Sequence, residues 1–209
     1  MERPRAAAPL WPDLPGGLGL VSTSPRRAEL LRAAGVPFRV IPPAEGSEGG
    51  GGDGKGGKED PERLAALHAE AKARSVPEAS AGILLAADTV VVSPGGRILG
   101  KPADGEEAAA MLRLLSGAEH RVVTAVFALR PSDGRCAGGA EGTAVHFRDL
   151  SEEEIGAYVA TGEPMDKAGA YGIQGIGGLL VSGIRGCYFN VVGLPLARTR
   201  EILRAVLEA

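Results

Sequence analysis

Two rhythms of apolar residues alternate along this chain, and together they predict its elements. Runs that are apolar almost without a break read as buried strands, whereas apolar positions recurring every three or four residues read as helices with one face on a core. "GLGLVST" is the first strand, and Ser24 at N-cap with Pro25 behind it opens a helix that Gly35 stops. "PFRVIPP" is a second strand, and "EDPERLAALHAEAKARS" is a helix capped by Asp60 with Pro61 at its first position. "AGILLAADTVVVS" is a buried strand, and a turn at Pro94-Gly95-Gly96 leads to "RILGKP" as its short partner. Asp104 and Glu107 then cap "GEEAAAMLRLLS", which Gly117 ends. "HRVVTAVFALR" and "AEGTAVHFRDL" are strands joined by the turn-rich "PSDGRCAGG". Ser151 and Glu154 form a capping box for "EEEIGAYVATG", "GLLVSGIRGCYFNVVG" reads as strands around a turn, and "PLARTREILRAVLEA" is a terminal amphipathic helix. Strands and helices interleave without an internal repeat, so the expected fold class is α/β, a mixed β-sheet with flanking helices.

Two stretches lack either rhythm. Residues 46–57, "GSEGGGGDGKGG", hold eight glycines in twelve positions and read as a flexible loop. Residues 1–17 contain four prolines and no sustained apolar run, which reads as a disordered N-terminal extension rather than a signal peptide. A single domain over 18–209 remains.

Composition narrows the function classes. A hydrophobic fraction of 44% supports a real core, and the net charge of −3 with a pI near 5.7 argues against a nucleic-acid polymer or an anionic membrane as partner. A small anionic ligand arriving with a divalent metal stays compatible. No window reaches the roughly 18 apolar residues of a membrane span. Cys136 and Cys187 are too far apart for a metal-type pair, and as two reduced thiols they suit a cytoplasmic protein.

Three clusters carry candidate chemistry. Ser22, Thr23 and Ser24 offer hydroxyls beside a helix start, where free N–H groups and the forked donors of Arg26 and Arg27 suit a phosphate chain. The alternative is that both arginines are solvated, with Arg26 paired to Glu29. Asp88 interrupts an apolar strand, and a buried carboxylate must be paired, metal-bound or functional. Lys101, after the adjoining turn, is placed to come back toward it. Met165 to Gly178, "MDKAGAYGIQGIGG", packs five glycines into its last ten residues, and Gln174 there has both a donor and an acceptor for a base edge. Lys72 falls on what the helical pattern makes a solvated face. His68, His120 and His146 show no ligand spacing, and no P-loop, dinucleotide fingerprint or nucleophile elbow is present.

In this order and at these separations, "STSPRRAELL", "AADTVV", "GKP" and "DKAGAYGIQG" followed by "NVVGLPL" resemble the Maf family of nucleotide pyrophosphatases, over nearly the whole chain. The resemblance implies two lobes around a deep cleft, related to the inosine-triphosphatase type. It implies hydrolysis of nucleoside triphosphates to a monophosphate and pyrophosphate, with Mg²⁺, Mn²⁺ or Co²⁺, in a protein that is often a homodimer. By position, Asp88 matches the general base and a metal ligand, and Lys101 matches the GKP lysine. Ser22, Arg26 and Arg27 match the phosphate turn, and Lys72 matches a second-helix lysine. Arg26, Thr89 and Gln174 match residues that mark the branch preferring dTTP and UTP over the branch preferring methylated GTP. One departure stands out: the acidic pair usual after the second strand is replaced by the glycine-rich run, with Glu45 or Glu48 as the nearest substitute. Two other readings stay open, a non-catalytic nucleotide-binding regulator of cell division and a pyrophosphatase for modified purines.

Overall fold

The apolar runs become strands covered on both faces. A computed structural model describes residues 10–46, 60–77 and 80–208. Among these residues one seven-stranded sheet forms from β1 (Leu18–Val21), β2 (Phe38–Ile41), β3 (Ile83–Val92), β4 (Ile98–Leu99), β5 (Glu119–Arg130), β6 (Arg135–Phe147) and β7 (Val181–Arg185). The order is β2-β1-β3-β5-β6-β7, with β4 on β3. β1 runs parallel to β2 and β3, and the remaining pairs are antiparallel. Parallel neighbours need a crossover, supplied here by α1 (Pro25–Ala33) between β1 and β2 and by α2 (Pro61–Arg74) between β2 and β3.

Alternation along the strands sorts the core. Leu18, Leu20, Ile83 and Leu85 pack beneath α1 and the C-terminal α6 (Leu196–Glu208), which contributes Ile202, Leu203 and Val206. The opposite face carries Val21, Leu84, Ala86 and Val123 beneath α2. There Ala65, Ala69 and Ala73, one turn apart, offer only methyl groups, so the helix can lie close to the sheet. A third cluster joins Val91, Val122 and Phe147 to α3 (Gly105–Leu115) and α4 (Glu152–Ala160).

Sheet register opens the place where chemistry can happen. β1 ends at Val21 opposite Ala86, and β4 takes up the same edge of β3 only at Val91, while β5 lines the other edge throughout. From Ala87 to Val90, therefore, β3 has no strand on one side among the described residues. That opening lies beyond the carboxyl ends of the parallel strands, the usual ligand side of such sheets.

The structure corrects three expectations about local form. Residues 188–192 are not a strand but a short helix, α5 (Tyr188–Val192). The reason is Asn190, fully buried: its Nδ2 donates to Val122 O and Thr143 Oγ1, both at 2.9 Å, and its Oδ1 accepts from Thr124 N at 3.1 Å. "CAGG" belongs to β6, paired residue by residue with β5, so the connection shrinks to a tight turn with Gly134 at φ 74°. Residues 10–17 are placed against the body: Trp11 Nε1 donates to Ala34 O, Leu14 packs on the first core, and Gly16 and Gly17 carbonyls accept from Gly82 and Ile83. Residues 1–9, and the glycine-rich run beyond Gly46, lie outside the described residues. Among the described residues no helix is long and apolar enough to cross a membrane.

Truncating Asn190 leaves Thr124 N–H and Val122 C=O unpaired in the interior, at about 1–3 kcal/mol for each orphan. Asn190→Ala is expected to cost about 3 kcal/mol, read as a lower urea midpoint with an unchanged m-value. An unchanged midpoint would show that those groups find other partners.

Candidate active site

Asp88 lies on the face of β3 shared by Leu84 and Ala86, turned toward α2, at the open stretch of the strand. On α2 the residues Leu64, His68 and Lys72 follow one another a turn apart, beside the alanine stripe, and line a cleft of about 580 Å³. Lys72 Nζ donates to Asp88 Oδ1 at 2.6 Å, and His68 Nδ1 lies 3.0 Å from Asp88 Oδ2. Lys72 is only 6% exposed, so the expectation of a solvated lysine is overturned: its long stem crosses the helix surface to neutralise the carboxylate. Burial is the largest single influence on Asp88 and pushes its carboxyl up. The His68 hydrogen bond, the charge and hydrogen bond of Lys72, and the charge of Arg27 together outweigh it and hold the group below its ordinary value. Asp88 is a carboxylate at neutral pH.

The serine turn after β1 closes one wall. Ser22 Oγ accepts from Ser24 N at 3.1 Å and from Arg27 Nη1 at 3.3 Å, and Ser22 itself is buried behind the lining. Arg27 also donates through Nε to Gly193 O at 2.9 Å and through Nη2 to Thr89 Oγ1 at 3.2 Å. Thr89 Oγ1 and Thr124 Oγ1 are 3.0 Å apart, and Thr124 Oγ1 donates to Asn190 O at 2.9 Å. One polar chain thus runs from the serine turn to α5. Arg26 turns the other way and pairs with Asp166, not Glu29, at 3.2 Å.

The opposite wall is the glycine-rich segment carrying Gln174, which Glu163 and Tyr158 hold. Glu163 accepts from Tyr158 OH at 2.9 Å and from the N–H groups of Ile176 and Gly177, both at 3.1 Å, while Gly172 N–H donates to Tyr158 OH at 3.2 Å. Gly177 is obligatory here, since a Cβ would sit 2.3 Å from Gly172 O. Tyr171 closes the back of the cleft with its hydroxyl 2.7 Å from His120 Nε2. Burial, and then the nearby His146, push His120 down to about 4, so it adds no charge at neutral pH.

Arg26, Arg27, Lys72, Asp88, Thr89, Lys101 and Gln174 all line this one cleft. Ser22 stands behind it, and Glu45 sits in the exposed turn after β2, away from the described lining; Glu48 is outside the described residues. Two features escaped sequence reading. One is His68, whose only signal was its four-residue spacing from Lys72. The other is the set of anchors Tyr158 and Glu163, which no local pattern marks. Arg26, Arg27, Lys72, Lys101 and Lys167 on the lining outnumber Asp88 and Asp166, in a chain of net charge −3. Such a cleft concentrates anions. Among the described residues no three His, Cys, Asp or Glu side chains converge, so no all-protein metal cage is present. Each Asp88 oxygen keeps a second lone pair, and one carboxylate with substrate phosphates is a usual donor set for Mg²⁺. The residues therefore fit a hard divalent cation that arrives with phosphates.

A family model described as Maf-like protein matches residues 17–206. A dTTP/UTP pyrophosphatase of Symbiobacterium thermophilum is 50% identical over 184 residues, covering 88% of this chain and 91% of its own length. One from Pelotomaculum thermopropionicum is 46% identical over 185 residues, covering 88% and 94%. One from Thermococcus gammatolerans is 48% identical over 179 residues, covering 86% and 91%. Among solved structures, a HAM1 protein from Coxiella burnetii superposes with a TM-score of 0.49 at 14% identity, over 92% of this chain and 99% of its own.

The depressed Asp88 carboxyl sets a sign. Its stabilising contribution is present above the ordinary carboxylate range, about 3.9, and is lost as pH falls through its lower native value. Lys72→Met strands a buried charge and is expected to cost about 3 kcal/mol at pH 7. The cost should shrink toward pH 3, where Asp88 is protonated in the variant; denaturant titrations at both pH values check it. Equal costs at both would mean the pair is not ionic.

Proposed function

Because this chain belongs to the Maf family, we propose that it hydrolyses dTTP and UTP to the nucleoside monophosphate and pyrophosphate. One observation carries the reading: an ionised Asp88, held by Lys72 and His68, faces a cationic cleft at the open edge of β3. The names of the relatives at 46% to 50% identity supply the substrate pair.

The chemistry follows from what each group can do. The triphosphate lies along the wall of Arg26, Arg27 and Lys101, whose fixed charges offset charge developing on the departing pyrophosphate. Entry of the phosphates competes with Asp166 for Arg26, a surface pair of small intrinsic worth. Asp88 orients a water on the α phosphorus and accepts its proton as the new P–O bond forms and the α–β bridging bond breaks. A divalent cation bound by Asp88 and the phosphate oxygens would supply further charge neutralisation. At the far wall the Gln174 amide pairs with the acceptor and donor edge of uracil or thymine. Arg27, fastened to Gly193, Ser22 and Thr89, keeps the phosphate turn and β3 in register while lending its charge.

Asp88→Asn is expected to lower turnover by roughly 10²-fold with the fold retained, measured as pyrophosphate release from dTTP, UTP, CTP, GTP and 7-methyl-GTP with Mg²⁺ or Mn²⁺. Near-normal rates in a folded variant would remove Asp88 from the role of base. Gln174→Ala is expected to lower dTTP and UTP rates by roughly tenfold while sparing GTP. A uniform fall across all bases would assign Gln174 to the cleft wall rather than to base reading.

A further inference from the structure

We propose that His68 is a positioning residue for this reaction: its Nδ1–H locks the rotation of the Asp88 carboxylate. The inference rests on the pyrophosphatase reading above and assigns a role to a residue outside the matched motifs.

The argument is geometric. The last torsion of an Asp side chain, about the bond to its carboxyl carbon, is broad and roughly two-fold, so a carboxylate held at one oxygen can swing about that contact. Lys72 holds only Oδ1, at 2.6 Å. His68 Nδ1, 3.0 Å from Oδ2, supplies the second point and fixes the plane of the group. A carboxylate oxygen can only accept, so Nδ1 must carry the hydrogen whatever the state of Nε2. Both fastening residues stand on α2 one turn apart, and Asp88 stands in the interior of β3. α2 is itself fixed, by Asp60 accepting from Glu62 N and Arg63 N and by its alanine face on the sheet. With both oxygens engaged from the helix side, the remaining lone pairs of Asp88 are fixed in direction, which a base aiming one water requires. His68 acts through Asp88 and not on the substrate.

Three substitutions separate this role from others. The amide nitrogen of Asn superposes on Nδ1 of His, whereas that of Gln reaches the position of Nε2. With UTP as substrate, His68→Leu is expected to lower kcat about tenfold and to leave KM within about twofold, in a protein that loses some stability but stays folded at the assay temperature. His68→Asn should recover kcat to within about threefold of wild type, and His68→Gln should stay as slow as His68→Leu. If His68→Leu does not fold, the contrast between Asn and Gln decides the matter alone. Wild-type kcat in His68→Leu overturns the inference, and so does rescue by Gln but not Asn, which would place Nε2 on the substrate. A defect confined to KM overturns it as well. A wild-type protein that releases no pyrophosphate from any nucleotide overturns the reading of the site itself, and the role of His68 falls with it.

Discussion

A carboxylate in the interior of an apolar strand is the constraint from which the rest of this structure follows. Asp88, on the α2 face of β3, meets water only through the cleft, with 13% of its side chain exposed, and an anion so largely buried would cost several kcal/mol without partners. Its charge must be answered from the helix above. Lys72 can do so only because α2 lies close, and α2 lies close because Ala65, Ala69 and Ala73 offer no bulk toward the sheet. The helix stripe that contacts the sheet and the stripe that serves the cleft are adjacent faces of one helix. Packing and chemistry are coupled there: a larger side chain at Ala69 would push Lys72 and His68 away from the carboxylate together.

The same economy appears at the two arginines of the serine turn, which sit at a helix start where a cation is disfavoured. They resolve the conflict differently. Arg27 is taken inward, and its guanidinium spans the carbonyl of Gly193, the hydroxyl of Ser22 and the hydroxyl of Thr89. Through Thr89 and Thr124 that network reaches Asn190, which splices β5 to β6. Arg26 is left on the cleft side, where it pairs across the opening with Asp166. One arginine is spent on holding β1, β3 and α5 together, and its neighbour stays available to an incoming anion.

Much of this could be read from the chain, and the reasons for the gaps are physical. Caps at Asp60, Asp104 and Ser151 are local signals, and each is made in the structure. Asp88 was legible by contrast, one charge in a long apolar run. Lys72 was legible only through the family resemblance, because polar and alanine stripes on α2 alternate at the same spacing and nothing local says which one meets the sheet. His68 was hidden for the same reason. Tyr188 to Val192 has the β-branched and aromatic composition of a strand, yet the hydrogen bonds of Asn190 to three separate groups on β5 and β6 require a helical turn. In each case a tertiary contact decided between two conformations that local propensity left nearly equal.

The two walls of the cleft differ in how they gain rigidity, and the difference matches the work proposed for each. Asp88 and its partners stand on a strand and a helix, elements stiff in themselves, as the proposed proton transfer from an aimed water would demand. Gln174 stands on a segment of turns, whose backbone must approach closely at Gly177 and adopt positive φ at Gly169 and Gly175. Such a segment has no ladder of its own, so its order comes from anchors outside it: Glu163 gathers the N–H groups of Ile176 and Gly177 and the hydroxyl of Tyr158, and Tyr158 holds Gly172. In the reaction proposed above, hydrolysis and base selection would thereby be fixed by separate sets of contacts. The wall bearing Gln174 can change its residues without disturbing Asp88, because Glu163 and Tyr158 hold the one and Lys72 and His68 the other.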